Sequence, residues 1–454
     1  MTADALTARH VPSQGTKAEA NPDVAPTLIR NVRNRLREQV RVEEAAIDGH
    51  IDKRRRDEIA EAFLGEELEA YARSELAAGR PLPDAESERS WAKEARNHLF
   101  GLGGLQPYLD MPDVENINTH GCDKIFLRLS GNRRARGEWP VARSDKELIE
   151  LIREIAAHSG EEERLFSRRS PLLDLQLPDG SRLNASGWVV DRPSLSIRIH
   201  RFPTATMATM VELGVMDPDL AAFLAAAVKA RMNILVSGGP ETGKTTLLRA
   251  LASEIPLWES LVTIEDSREL NLGADPEQHP DVKSFQARLD NIEGEGAVSL
   301  ADLARNALRM APDRVIVGEV RGEEILPMFA AMSQGSDGSM ATIHASSSRQ
   351  ALMRIAAYAA KGPEGLRLEE ANLYAASAID LIVQLDYTDD LTTRVVASIR
   401  EIVDADGSQL ITNEVYRPDP AGRAEPTGAL TAARAKRLEA AGLDRRILVA
   451  RNPW

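Results

Sequence analysis

Asn233-Ile-Leu-Val-Ser-Gly-Gly-Pro-Glu-Thr-Gly-Lys-Thr-Thr-Leu-Leu-Arg249 is the stretch from which this chain is read. Ile234-Leu-Val236 is a short apolar run and predicts a buried strand. The chain then turns through Gly238 to Gly243 and enters an Ala/Leu-rich helix that stops before Pro256. Gly238-x-x-x-x-Gly243-Lys244-Thr245 is a complete P-loop pattern, and it lies between a strand and a helix, the context the motif requires.

Each part of the pattern has a physical task. The glycines let backbone N–H groups curl around a polyphosphate without Cβ clashes. The helix N-terminus adds the positive end of its dipole. Lys244 has the reach to meet the β and γ phosphates of ATP, and the Thr245 hydroxyl is a ligand for Mg²⁺. The nucleotide-binding set is therefore Gly238, Gly239, Pro240, Glu241, Thr242, Gly243, Lys244, Thr245 and Thr246. An acid inside such a loop is unusual. The Glu241 side chain is expected to point to solvent, because backbone N–H groups hold the phosphates.

Composition narrows the surroundings. A chain of 454 residues, 43% of them hydrophobic, suggests two to three domains with real cores. A formal charge of −14 argues against nonspecific nucleic-acid binding as the main task, since neutralising phosphates takes a basic surface. The single cysteine, Cys122, allows neither an internal disulfide nor a multi-cysteine zinc site, as expected in a reducing cytosol. Neither a signal peptide nor a transmembrane helix is expected, so membrane association would run through a partner.

In chain order, the first residues lack periodicity and predict a disordered tail. Thr27 to Ala78 is charged and helical in character, and its basic run Lys53-Arg-Arg-Arg56 reads as a solvated helix face. From about Ser87 to Ile199 a compact α/β domain is expected. It has strands at Val114–Asn118, Lys124–Leu129, Leu172–Leu177 and Ser181–Ala185, a helix at Lys146–Ala157, and a last strand from Leu195. From Val211 strands alternate with helices, the mark of a parallel sheet covered by helices. Its strands are the P-loop strand, Leu261–Ile264, Asp313–Glu319 and Ser339–His344. After Asp390 weaker strands, a Pro/Gly loop and a helix near Thr431–Ala441 follow.

Open α/β sheets bind ligands at the carboxyl ends of their strands. Glu319, at the tip of Val315-Ile-Val-Gly-Glu319, is placed to face the phosphates and either hold Mg²⁺ or orient the attacking water. Glu265 follows another strand, with Asp266 beside it, and is a second acid for the same edge. Sequence alone does not divide roles between Glu319 and Glu265. His344 ends a strand, where a lone histidine is more often structural than catalytic. Arg198, Arg201, Arg288 and Arg321 are candidates to neutralise γ-phosphate charge.

These motifs, taken together, resemble a known family. Beyond the P-loop they are Thr263-Ile-Glu-Asp266 with Glu269, Asn291-Ile-Glu-Gly294, Arg305-Asn-Ala-Leu-Arg-Met310, Val317-Gly-Glu-Val-Arg-Gly322, Gly335-x-Asp-Gly-Ser339 and Ala341-Thr-Ile-His-Ala345. The set closely resembles the type II/type IV secretion ATPases, and most of all the CpaF-like branch of tight-adherence pilus systems. Gly101-Leu-Gly-Gly-Leu105, Pro178-Asp-Gly-Ser-Arg-Leu-Asn184 and Ser196-Ile-Arg198 match the N-terminal domain of that branch.

The resemblance implies an α/β fold: a RecA-like P-loop NTPase domain, a smaller α/β N-terminal domain and an N-terminal helical extension. The expected division is a tail (1–26), helical extension (27–86), α/β domain (87–202), linker (203–212), ATPase domain (213–390) and its C-terminal extension (391–454). It further implies a cytoplasmic homo-hexamer, peripheral to the inner face of the cell membrane. The ring would hydrolyse ATP with Mg²⁺ and dock on an inner-membrane platform protein to power pilus assembly or secretion, without direct nucleic-acid contact. It places Glu265 in an acidic box and His344 in a histidine box, and it suggests that Arg198 or Arg201 closes over the nucleotide. Two departures stand out. Ser336 replaces a customary His, which implies weaker coupling or phosphate sensing, and Pro240-Glu241 replaces a customary Thr-Gly. They motivate a rival reading, a nucleotide-binding ring subunit or regulator with little turnover.

Overall fold

The computed structural model describes residues 24–47, 49–158, 165–202, 204–288, 296–362 and 364–449. Residues 1–23 of the expected tail, and the Asn291-Ile-Glu-Gly294 motif, lie outside the described residues. The chain forms two compact units, Met1–Ile199 and His200–Trp454.

The first unit opens with helices α1 (Val24–Ile47), α2 (Lys53–Ala77) and α3 (Ala85–Phe100). Asp52 and Asp84 cap α2 and α3 by accepting backbone N–H bonds at their starts. Val24, Leu28, Val32, Leu64, Trp91 and Ala95 bury their apolar stripes against one another. After the short helix α4 (Gln106–Leu109) come β1 (Val114–His120), β2 (Lys124–Leu129), β3 (Arg133–Arg136), helix α5 (Asp145–His158), then β4 (Leu172–Gln176), β5 (Arg182–Ser186) and β6 (Ser194–Arg198). These strands form one antiparallel sheet in the order β3-β2-β1-β6-β5-β4. Its core gathers Ile117, Leu183 and Ile197 with Leu148 and Ile152 of α5.

The second unit begins with α6 (Met207–Glu212), α7 (Pro218–Lys229), β7 (Ile234–Gly238), α8 (Lys244–Ala252), β8 (Leu261–Glu265), β9 (Val282–Gln286) and α9 (Leu300–Ala307). It continues through β10 (Arg314–Val320), α10 (Ile325–Ser333), β11 (Met340–His344), α11 (Ser348–Lys361) and α12 (Leu368–Ala378). It closes with β12 (Leu381–Tyr387), β13 (Arg394–Asp406), β14 (Gln409–Pro418), β15 (Ala424–Pro426) and α13 (Ala432–Ala440). Its sheet runs β15-β14-β13-β12-β7-β11-β10-β8-β9. From β12 to β9 neighbouring strands are parallel; from β12 to β15 they are antiparallel. This is the expected mixed α/β, RecA-like architecture, with one apolar core on each face of the sheet.

The P-loop strand lies inside this sheet, its five residues all buried. Parallel strands covered on both faces need near-continuous apolar runs, and β7, β8 and β11 have them. The strands at β9 and β12 were not expected from sequence. Among the described residues no helix is long and apolar enough to cross a membrane.

Candidate active site

Residues 239–243 turn sharply between β7 and α8. Gly243, the N-cap of α8, has φ of +92°, a conformation that favours glycine, and no side chain caps the helix start. A methyl at Gly238 would meet the Thr242 hydroxyl at 2.5 Å and the Leu385 carbonyl oxygen at 2.9 Å, so the turn closes only over a bare backbone. Thr242 Oγ1 donates to the Gly239 carbonyl at 2.9 Å. Uncapped N–H groups at a helix start, with a buried lysine beside them, fit the phosphates of a nucleotide.

Sheet order brings the next residues to this loop. Strand β11 lies between β7 and β10, and His344 at its tip is in register with Gly238. Lys244 Nζ donates to the Gly239 carbonyl at 2.7 Å and lies 3.1 Å from His344 Nδ1. His344 Nε2 lies 2.7 Å from Glu319 Oε1 at the end of β10. An ammonium only donates, so Nδ1 is the acceptor and the proton sits on Nε2, beside the carboxylate but off the line to Oε1, which lacks a hydrogen bond. Arg321 donates to Glu319 Oε2 at 2.8 Å and to Asp266 Oδ2 at 2.6 Å. Lys244, His344, Glu319, Arg321 and Asp266 thus form one continuous polar chain across the strand tips.

The two glutamates sit in opposite environments. Burial alone would raise the Glu319 carboxyl, but the close His344 imidazole and the Arg321 guanidinium outweigh it and hold the group at about 2. Burial pushes Glu265 up to about 7, against hydrogen bonds from the backbone N–H groups of Leu270 and Glu269, both to Oε1. Glu265 Oε2 is buried without a hydrogen-bond partner. Gly318 of β10 makes room for Glu265 to lean across: a methyl there would come within 2.9 Å of Glu265 Cγ.

Other expected residues are placed elsewhere. Arg288 follows β9, four strands from β7, or about 19 Å at the usual strand spacing. Its Nε donates to the Gly296 carbonyl at 2.7 Å, and it does not join its own chain's loop. Arg198 is the exposed last residue of β6 in the first unit, and Arg201 is half-buried at the start of the second. Ser336 corrects an expectation. It precedes β11 at the opposite end of the sheet from the loop, buried, with Oγ donating to the Pro312 carbonyl at 2.9 Å. About 13 Å of strand separates Met340 from His344, so position 336 cannot sense phosphate at its own chain's loop.

Sequence reading missed Arg249. Its guanidinium is buried behind α8, with Nε donating to the Leu270 carbonyl at 3.0 Å and the two Nη groups to the carbonyls of Phe202 and Glu269. It therefore fixes the loop after Glu265 to the P-loop helix. The signal was present: one cation inside Leu247-Leu-Arg-Ala-Leu-Ala252, where every neighbour is apolar.

The fold and this loop define the class, a P-loop NTPase on a RecA-like sheet. A family model described as "Type II/IV secretion system protein" matches residues 103–386. The chain belongs to the type II/IV secretion system protein family, and it is an ATPase of that family. It is 31% identical over 301 residues to a putative conjugal transfer protein of Mycobacterium tuberculosis, a match covering 64% of this chain and 81% of the relative. It is 40% identical over 317 residues to the type IV secretion system protein PtlH of Bordetella pertussis, covering 63% and 89%. Among solved structures it is similar to the VirB11 ATPase of the Brucella suis type IV secretion system, with TM-score 0.36, 25% identity, and coverage of 66% of this chain and 92% of that one.

Proposed function

We propose that this ATPase is the hexameric motor of a pilus or secretion machine, of the CpaF-like, tight-adherence branch. It would act at the inner face of the cell membrane through an inner-membrane platform protein. The N-terminal α/β domain would move against the RecA-like domain as nucleotide turns over. The observation that carries the reading is the polar chain from Lys244 through His344 to Glu319, which connects the phosphate loop to the acidic strand tips.

In this reading the loop backbone, Lys244 and Thr246 hold ATP, and Thr245 and Glu319 hold Mg²⁺. The metal, when bound, offsets phosphate charge. Glu319 is kept ionised by His344 and Arg321, which suits a metal ligand and makes it a poor base. Glu265, raised toward neutrality with one oxygen unpaired, fits the general base that takes a proton from the attacking water. Its neighbour on β10, Gly318, has no side chain to crowd it. The sequence left the two acids undivided; the difference in their environments supports this division. His344 reports to Glu319 whether Lys244 is engaged with phosphate. The rival reading, a regulator with little turnover, loses support from Ser336, whose side chain lies far from the loop.

The test is steady-state phosphate release with Mg²⁺–ATP, run beside Lys244→Ala, with oligomer mass recorded in the same buffer. Turnover that drops at least about 100-fold in the variant and follows the hexamer is expected. Nucleotide binding without turnover in the wild type, partners present, would replace the motor by the regulator.

A further inference from the structure

The segment after Asp390 has no part in the chemistry above, yet it touches the phosphate loop. Strand β12 lies beside β7 on the side away from β11, with Leu385 in register with Gly238. Two residues on, Tyr387 pairs in register with Arg394, the first residue of β13. The hairpin between them is pinned by Asp390, whose carboxylate accepts from Thr388 Oγ1, Thr392 N and Thr392 Oγ1 at 2.5, 3.1 and 2.9 Å.

Both hairpin residues converge on one atom of the loop. Arg394 Nε donates to the Glu241 carbonyl oxygen at 2.8 Å, and Tyr387 Oη donates to the same oxygen at 3.1 Å. The Arg394 guanidinium lies 5.8 Å from the centre of the Tyr387 ring. Glu241 has φ of +59°, the left-handed region that a residue with a Cβ rarely adopts. Such a conformation persists only where its surroundings hold it.

The consequence follows from peptide geometry. In a trans peptide the carbonyl and the next N–H point in opposite directions. Tying the Glu241 carbonyl outward to the hairpin therefore aims the Thr242 N–H inward, into the concavity of the loop. We propose that Tyr387 and Arg394 are a latch, positioning residues that act through the Glu241 carbonyl to set the phosphate-binding shape of the P-loop. The latch lets a glutamate occupy a position where a glycine would need no support. This inference rests on reading the loop as the nucleotide site.

The experiment compares Arg394→Ala, Tyr387→Phe, Glu241→Gly and the double variant Arg394→Ala/Glu241→Gly. The readouts are Mg²⁺–ADP affinity by calorimetry, and KM and kcat for Mg²⁺–ATP. Arg394→Ala is expected to weaken Mg²⁺–ADP binding and raise KM about tenfold, with kcat changed less than about threefold. Tyr387→Phe removes one hydroxyl only, and its expected two- to threefold loss serves if the larger change prevents folding. With Gly at 241 the left-handed backbone is unstrained, so adding Arg394→Ala should cost less than about threefold. An equal loss in both backgrounds would mean that Arg394 touches the nucleotide itself and would overturn the latch, as would full affinity in both hairpin variants. A wild type that bound no Mg²⁺–ADP would sink the nucleotide-site reading and the latch with it, whereas loss confined to Lys244→Ala would sink the latch alone.

Discussion

At Glu265 and Glu319, two identical side chains a strand apart are set in different environments by their neighbours. Glu319 meets a histidine and an arginine; Glu265 meets backbone N–H groups and apolar walls. If Glu265 is the base, kcat should rise as pH rises through about 7, because the base works only once deprotonated. Glu265→Gln should then lose about 100- to 1,000-fold in kcat, keep Mg²⁺–ADP affinity within about threefold, and abolish that limb of the pH profile. The same burial has a stability signature. The folded-state pKa lies above the ordinary value of 4.5, so the folded chain holds the extra proton between there and about 7. Stability contributed by this group is lost as pH rises through that window, by about 3 kcal/mol in all. Urea titrations of Glu265→Gln at pH 5 and pH 8 should differ less than those of the wild type. Gly318→Ala should mimic part of the kinetic loss, about tenfold in kcat, since the methyl would push Glu265 at its Cγ.

At the scale of elements, the sheet is locked at the end opposite the loop by buried polar groups. Arg314, at the start of β10, has no exposed side-chain surface. It donates to both Glu259 oxygens, at 2.6 and 3.0 Å, and to the carbonyls of Val228 and Gly338. Arg314→Met should therefore cost about 3 kcal/mol in urea unfolding, because Glu259 and two carbonyls lose a donor. Adding Glu259→Met should restore part of the loss; no recovery would show that the cost lies in packing. Asn233, one residue before β7, binds the carbonyls of Met332 and Ala378 and the N–H groups of Gly338 and Ser339, all at 2.7 to 3.0 Å. These networks explain what sequence could and could not disclose. Apolar runs such as Leu261-Val-Thr-Ile264 and Ser339-Met-Ala-Thr-Ile-His344 were legible because strands buried on both faces must be apolar. Val282-Lys-Ser-Phe-Gln286 was not, because β9 is a half-exposed edge strand with no clean alternation. Leu381-Ile-Val383 carried a usable signal, a β-branched apolar run, that went unread. Strand order was out of reach altogether. Nothing in the spacing of Lys244, Glu319 and His344 says that β11 inserts between β7 and β10, and that insertion is what makes the histidine a bridge.

For the whole molecule, the arginines pose the remaining question. Arg288 lies at the far edge of the sheet, four strands from the loop it was expected to serve. A residue too distant for its own chain's nucleotide can still serve a neighbour's, because a cyclic ring is built from heterologous interfaces in which one edge of each subunit meets a different face of the next. A chain charge of −14 leaves the molecule net acidic, so cations placed at a phosphate count for more. The consequence is measurable by mixing. Lys244→Ala subunits carry an intact Arg288 but a dead loop, and Arg288→Ala subunits carry the reverse. If Arg288 acts across the interface, each preparation alone should be nearly inactive. An equal mixture, allowed to exchange subunits, should recover up to about a quarter of wild-type phosphate release, the share of interfaces that join a good loop to a good arginine. Full activity of Arg288→Ala alone would remove the residue from the mechanism. Inactivity in both variants with no recovery on mixing would mean that Arg288 supports its own subunit's fold, through its side-chain bond to the Gly296 carbonyl, rather than its neighbour's chemistry.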